Sequence, residues 1–196
     1  VIEVKMRLEK FRIPIVDFIF REEGEFVTKS SLDLFAGKRV VLFSLPGAFT
    51  PTCSAYQLPG FEEQYDQITS NGVDEVYCIS VNDAFVMNAW GKDQNIEKVK
   101  LIPDGNAYFT RSMGQLVSKS NIGFGERSWR YAAVIDDGII EKLFIEKMKM
   151  DNSSQDPYEE TTPEKVLGYL QSLDQEELIA IREKREAMPE EKLYRV

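Results

Sequence analysis

The chain has 196 residues, 43% of them hydrophobic and 29% charged, and a formal net charge of −9. That length and apolar content suffice for one full-sized globular domain. The acidic balance argues against a phosphate backbone or an anionic membrane surface as partner. No run of about 18 apolar residues occurs, so no membrane-spanning helix is expected. Residues 1–10 alternate charged and apolar side chains and lack the apolar centre of a secretory signal.

The first 35 residues contain two apolar runs around turn residues. Phe11–Phe20 carries Pro14, and Arg21 to Gly24 reads as a turn, so an edge hairpin is expected. Arg39–Leu45 is a continuous apolar run that suits a strand buried on both faces. After it comes Pro46-Gly-Ala-Phe-Thr-Pro-Thr-Cys53, and then Leu58, Phe61, Tyr65 and Ile68 recur at helical spacing, with Pro59 kinking the first turns. Asn71-Gly72 closes that helix, and Glu75–Val81 is a second buried strand. Asp83 caps a helix expected to pack through Val86, Ala89 and Trp90. Val99–Ile102 reads as a short strand and Ala107–Leu116 as a weak helix. Trp129–Ile135 and Ile139–Ile145 are strands joined by a tight turn at Asp136-Asp137-Gly138. Thr162–Leu173 is a helix with Pro163 in its first turn.

Strand–helix–strand units followed by a hairpin and a helix describe an α/β chain with a mixed sheet flanked by helices, the thioredoxin-like layout. We place this domain at residues 1–173. Residues 174–196 are rich in Glu, Lys and Arg, with Leu178, Ile179 and Ile181 before Pro189. They read as a charged helical extension, either solvated or an arm that contacts another subunit.

Two cysteines and no histidine narrow the chemistry. Catalysis by Ser-His-Asp or Cys-His-Asn is excluded, and two cysteines do not supply a zinc site. So few thiols fit a reducing compartment, which points to the cytoplasm. Thr50 is a natural N-cap and Pro51 a natural first helical residue, so Cys53 falls in the first turn. Backbone N–H groups lacking intrahelical partners favour a thiolate there. The Thr50 hydroxyl can face the sulfur across the turn, and Pro46 can shield it from water. Attack on a peroxide needs a thiolate, a donor that aligns the O–O bond, and a cation for the leaving oxygen, a task suited to arginine. No Gly-rich phosphate loop is present, and the sulfur itself supplies the redox chemistry, so no cofactor is expected.

Pro46-x-x-x-Thr50-x-x-Cys53 resembles the active-site motif of peroxiredoxins. The longer Pro-Gly-Ala-Phe-Thr-Pro-x-Cys-Ser string, Leu58-Pro-Gly-Phe61 and Ser80-Val-Asn-Asp-Ala-Phe-Val86 resemble the type-5 (type II) branch. Trp129-Arg130-Tyr131 is similar to the strand carrying that family's catalytic arginine, which implies Arg130 as the clamp and leaves Arg127 as its rival. The resemblance spans about residues 12–173. The segment from Asp156-Pro157-Tyr158 to Leu170 is similar to the end of the peroxiredoxin module in bacterial hybrids with glutaredoxin, although no Cys-Pro-Tyr-Cys follows here. Gln57 stands where many relatives have histidine.

The resemblance implies a peroxidase that reduces hydrogen peroxide or alkyl hydroperoxides through a sulfenic acid at Cys53. Glutathione with glutaredoxin is its implied reductant, or else thioredoxin. It also implies a homodimer. Cys78 lies in a core-strand pattern and reads first as a small buried hydrophobe. Some plant type II members have a second cysteine at this spacing, so a resolving role stays open. A redox sensor or chaperone-like binder with little turnover is the reading from another class. A thiol–disulfide oxidoreductase is disfavoured because no Cys-x-x-Cys exists.

Overall fold

The computed structural model describes residues 11–187. The first ten residues and the end of the charged extension, with Pro189, lie outside the described residues.

The expected hairpin forms, but as a separate two-stranded sheet. Strands β1 (Asp17–Glu22) and β2 (Glu25–Ser30) pair antiparallel from Asp17↔Ser30 to Glu22↔Glu25. Between them Glu23 and Gly24 both hold positive φ, 48° and 83°, as a two-residue hairpin turn requires. The start of the Phe11–Phe20 run does not join this hairpin. It bonds instead to the far turn, with Ile13 N–H donating to Gly138 O and Ile140 N–H to Phe11 O, both at 2.8 Å. Ser30 caps the short helix α1 (Ser31–Phe35) in a capping box with Asp33.

The central sheet has the order β5-β4-β3-β8-β9. Its middle strand β3 (Arg39–Leu45) is parallel to β4 (Glu75–Ser80), which is parallel to β5 (Lys100–Pro103). On its other side β3 pairs antiparallel with β8 (Tyr131–Asp136), which turns at Asp137-Gly138 into β9 (Ile139–Ile145). Every residue of β3 is buried, as its unbroken apolar run predicts. Alternate side chains divide between two cores. Val41, Phe43 and Leu45 pack with Leu58, Phe61, Trp90 and Val166 on one face; Val40 and Leu42 pack with Phe18, Phe35 and Phe109 on the other. This is the thioredoxin-like arrangement expected from the sequence.

Several elements differ from expectation. The helix after Cys53 is not continuous: α2 (Leu58–Glu63) and α3 (Tyr65–Ser70) meet at a break at Gln64, where φ is −91° and ψ is 6°. Helix α4 (Ala84–Asp93), capped by Asp83 as expected, buries Ala84, Met87 and Trp90 rather than Val86 and Ala89; Ala89 is exposed and Val86 only half-buried. Spacing alone identified Trp90, and the flexible Met87 fills the position one turn before it. The helix expected over 107–116 is shortened to α5 (Tyr108–Ser112), because Gly114 turns the chain at φ 68° and Leu116 enters a small strand β6 (Leu116–Ser118) paired with β7 (Glu126–Ser128). The strand expected from Trp129 starts at Tyr131, since the Trp129 N–H is given to Gln115 O outside the sheet. Thr162 caps α6 (Pro163–Ser172), and α7 (Gln175–Glu186) follows with Asp174 and Glu177 bonded reciprocally at its start.

Candidate active site

β3 delivers the chain to Pro46 at the carboxyl end of the central strand, and the next residues turn sharply. Pro46 is buried. The Ala48 N–H donates to Asn82 Oδ1 at 3.0 Å, and the Ser80 hydroxyl donates to the same oxygen, so the end of β4 anchors the turn. Phe49 takes a left-handed φ of 62°. For a bulky residue that costs about 1–3 kcal/mol and persists only where the surroundings over-determine it. Gly47 leaves room for Arg127: a Cβ there would lie 2.7 Å from Arg127 Nη1 and displace the end of that side chain.

The helix begins at Pro51, as predicted, with the Ser54 N–H bonded to Thr50 O at 3.0 Å. Thr50 does not act as a side-chain cap. Its hydroxyl donates back to Gly47 O at 2.7 Å and closes the turn instead. Cys53–Gln57 then forms a π-helical turn in which the Leu58 N–H reaches Cys53 O. Such wide turns are uncommon and recur at functional sites. Trp90, expected only to pack, also donates its indole N–H to Ser54 Oγ at 2.9 Å and so holds the residue beside Cys53.

Cys53 is fully buried. Among the described residues, the hydrogen bond to its sulfur comes from Arg130 Nη1 at 3.5 Å. Arg130 is 1% exposed, and its whole fork is engaged. Nε donates to Pro157 O at 3.0 Å, Nη2 to Asp156 Oδ1 at 2.5 Å, and Nη1 also to Gln57 Oε1. The guanidinium lies over the Tyr158 ring, 5.5 Å from its centroid. Burial opposes the charge on Arg130, but the adjacent Cys53 sulfur and Asp156 carboxylate prevail and hold its proton more firmly than usual. The site therefore keeps a fixed cation in a low-dielectric setting against the Cys53 sulfur.

The sequence brought Pro46, Thr50, Cys53 and Arg130 forward, and the fold gathers them at one end of β3 and β8. Arg127, the weaker candidate, is half-buried rather than remote. It donates to Phe124 O at 3.1 Å and to Pro46 O at 3.4 Å; burial works against its charge and the Cys53 sulfur works for it. Two contributors had no local signal. Glu146 accepts the N–H groups of Glu159, Glu160 and Thr161 and the Thr161 hydroxyl on one oxygen, at 2.8 to 3.0 Å. It thereby pins the segment that brings Asp156 and Pro157 onto Arg130. Gln57 was noted only as a departure from histidine; it is fully buried against Arg130.

Cys78 sits on β4 opposite Phe43 and Leu101, fully buried in the same apolar core as Cys53, and both thiols are free. Burial pushes its pKa well up, and the neighbouring Cys53 pushes the same way. Among the described residues no group of three or more His, Cys, Asp or Glu side chains could hold a metal ion, and no helix is long and apolar enough to cross a membrane.

A free thiol held under a buried guanidinium on a thioredoxin-like sheet defines a cysteine-dependent redox enzyme. The Redoxin family model matches residues 14–160. A peroxiredoxin of Rhizobium etli is 53% identical over 176 residues, covering 85% of this chain and 98% of that protein. The hybrid peroxiredoxin hyPrx5 of Haemophilus influenzae is 44% identical over 163 residues, covering 83% of this chain and 66% of that protein. Among solved structures, the 1-Cys peroxiredoxin antioxidant protein of Plasmodium falciparum superposes with a TM-score of 0.81 at 42% identity, over 84% of this chain and 99% of that one. The chain belongs to the peroxiredoxin family, in its type-5 branch, and is a peroxidase.

Proposed function

We propose that Cys53 is the peroxidatic residue and that it reduces hydrogen peroxide and alkyl hydroperoxides by a one-cysteine route. The observation that carries this is the 3.5 Å contact between Arg130 Nη1 and Cys53 Sγ. The thiolate attacks one oxygen of the O–O bond, an S–O bond forms, and the electron pair of the broken bond leaves on the other oxygen as water or alcohol once protonated. Arg130 stabilises both the thiolate and the charge that moves onto the leaving oxygen. The Thr50 proton is engaged by Gly47 O, which leaves its oxygen lone pairs to accept from the peroxide O–H. Pro46 keeps bulk water from the sulfur, and the sulfur chemistry needs no resident cofactor.

The resulting sulfenic acid must meet a second thiol. Cys78 is a poor candidate, because its buried thiol is held protonated and the thiolate is the attacking species. We therefore assign resolution to an external thiol: glutathione with a glutaredoxin first, thioredoxin second. The likeness to a protein named as a hybrid peroxiredoxin, and to one named as a 1-Cys peroxiredoxin, supports that order. Cys53 is buried, so the π-helical turn must open to admit the reductant. Phe49 and Tyr56, exposed by 53% and 67% beside the site, support a homodimer that covers them. The acidic, cysteine-poor composition supports a cytoplasmic setting.

The test compares C53S and C78S in peroxide consumption with glutathione and glutaredoxin supplied. C53S should abolish turnover and C78S should retain it. Loss of turnover in C78S, with a Cys53–Cys78 disulfide in peroxide-treated wild type, would establish the two-cysteine route instead. A wild-type protein that oxidises once and then stalls would favour the sensor reading.

A further inference from the structure

Gln57 carries an atom that the reading above leaves unused. Its side chain is fully buried on the π-helical turn, and its carbonyl oxygen Oε1 accepts from Arg130 Nη1, the nitrogen that also touches Cys53 Sγ. The orientation of the amide is decided by chemistry: reversing it would press an NH2 group against a guanidinium. With Oε1 committed to Arg130, Nε2 must face another way, and among the described residues it has no hydrogen-bond partner. A buried donor left unpaired is unfavourable, and such groups call for an explanation.

The amide nitrogen shares its carbon with the oxygen on Nη1, and Nη1 touches the sulfur, so this unpaired donor belongs to the same buried cluster as the reacting atom. During the reaction one oxygen arrives there, because the step transfers an oxygen atom from the peroxide to Sγ. We propose that Gln57 is a catalytic residue of this peroxidase: its free N–H donates to the oxygen that becomes bound to sulfur, while Pro157 O and Asp156 suffice to hold the Arg130 fork in place. This rests on Cys53 being the peroxidatic residue. The step balances as written above, with the S–O bond formed as the O–O bond breaks and the leaving oxygen protonated; Gln57 contributes a hydrogen bond and transfers no proton. A neutral amide performs this task without changing its charge with pH, whereas an imidazole there would titrate.

The experiment uses the full chain and reads two rates on Cys53: oxidation by hydrogen peroxide in stopped flow, and alkylation by iodoacetamide, which needs the thiolate but transfers no oxygen. Q57L should slow oxidation about tenfold, the effect of losing one hydrogen bond made in the transition state. Alkylation should change by no more than about threefold, since the guanidinium charge is still present. Q57H should restore oxidation where imidazole is neutral, accepting from Arg130 and donating to oxygen, and lose it as the imidazole protonates; because both rates follow the Cys53 thiolate, the loss is read as a pH step in the ratio of oxidation to alkylation that wild type lacks. Parallel loss of both rates in Q57L, or no loss of either, overturns the proposal. If Q57L does not fold, Q57H decides: an oxidation-to-alkylation ratio with the same pH dependence as wild type overturns it. Peroxide oxidation that persists in C53S would sink the parent reading instead, and that control separates the two failures.

Discussion

Two buried arginines stand at opposite ends of the same antiparallel strand pair. Arg39 opens β3 opposite Asp136, and Arg130 precedes β8, whose Tyr131 lies opposite Ser44 near the other end of β3. About 20 Å of strand separates them. The Arg39 fork is saturated by a carboxylate: Nε and Nη2 donate to the two Glu141 oxygens at 3.0 and 2.6 Å, Nη1 donates to Asn71 O, and both side chains of the pair are 4% exposed. The Tyr169 hydroxyl donates to the same carboxylate, so this site ties α6 to the sheet. Among the described residues, Arg130 meets no buried carboxylate. Its partners are a carbonyl, an amide, a sulfur and Asp156, which is 43% exposed. A guanidinium held by both oxygens of a buried carboxylate holds a fold together, whereas one that meets a half-exposed carboxylate through Nη2 alone keeps Nη1 for an anion that comes and goes.

The comparison can be broken from either end. The largest effect should come from E141A, which leaves Arg39 buried and unpaired. Stability should fall by about 3–5 kcal/mol in denaturant unfolding. Peroxidase activity of the folded fraction should stay within about twofold, because the two sites share no partner and are well separated. Next comes R130M, which fills a similar volume without charge. It should lower kcat/KM for hydrogen peroxide by about 10²–10³-fold, measured under conditions where the chain is folded. An equal loss of activity in both variants would mean that the division into a structural and a chemical arginine is wrong.

The smallest effect lies away from both arginines. The Ser30 backbone N–H and hydroxyl both donate to Asp33 Oδ2, at 2.7 and 2.9 Å, and hold its carboxyl below the ordinary value of 3.8. A lowered folded-state pKa contributes stability that is present above 3.8 and lost as the pH falls through the lowered value. In D33N the acid limb of the unfolding profile should be shallower, with peroxide rates unchanged at neutral pH. An acid limb identical to wild type would show that this capping box adds nothing to stability.

Much of this molecule is written locally. The apolar run Arg39–Leu45 marks a strand buried on both faces, Asp137-Gly138 marks a hairpin, and Pro51 after Thr50 marks the helix that carries Cys53. These features depend on backbone preference and on side-chain spacing within a few residues, which a sequence displays directly. What a local pattern cannot show is direction and company. The Thr50 hydroxyl turned back to Gly47 rather than capping, and Met87 took the buried position that spacing gave to Val86 and Ala89. Glu146, Asp156 and Gln57 reach Arg130 or its supporting loop from elements far apart in the chain. By itself, then, the sequence determined the cysteine proposed as nucleophile, the helix that presents it and the sheet beneath. Only the tertiary structure decided which buried arginine gives its fork to a buried carboxylate and which meets a sulfur, because the partners of a guanidinium are set by what packing brings to it.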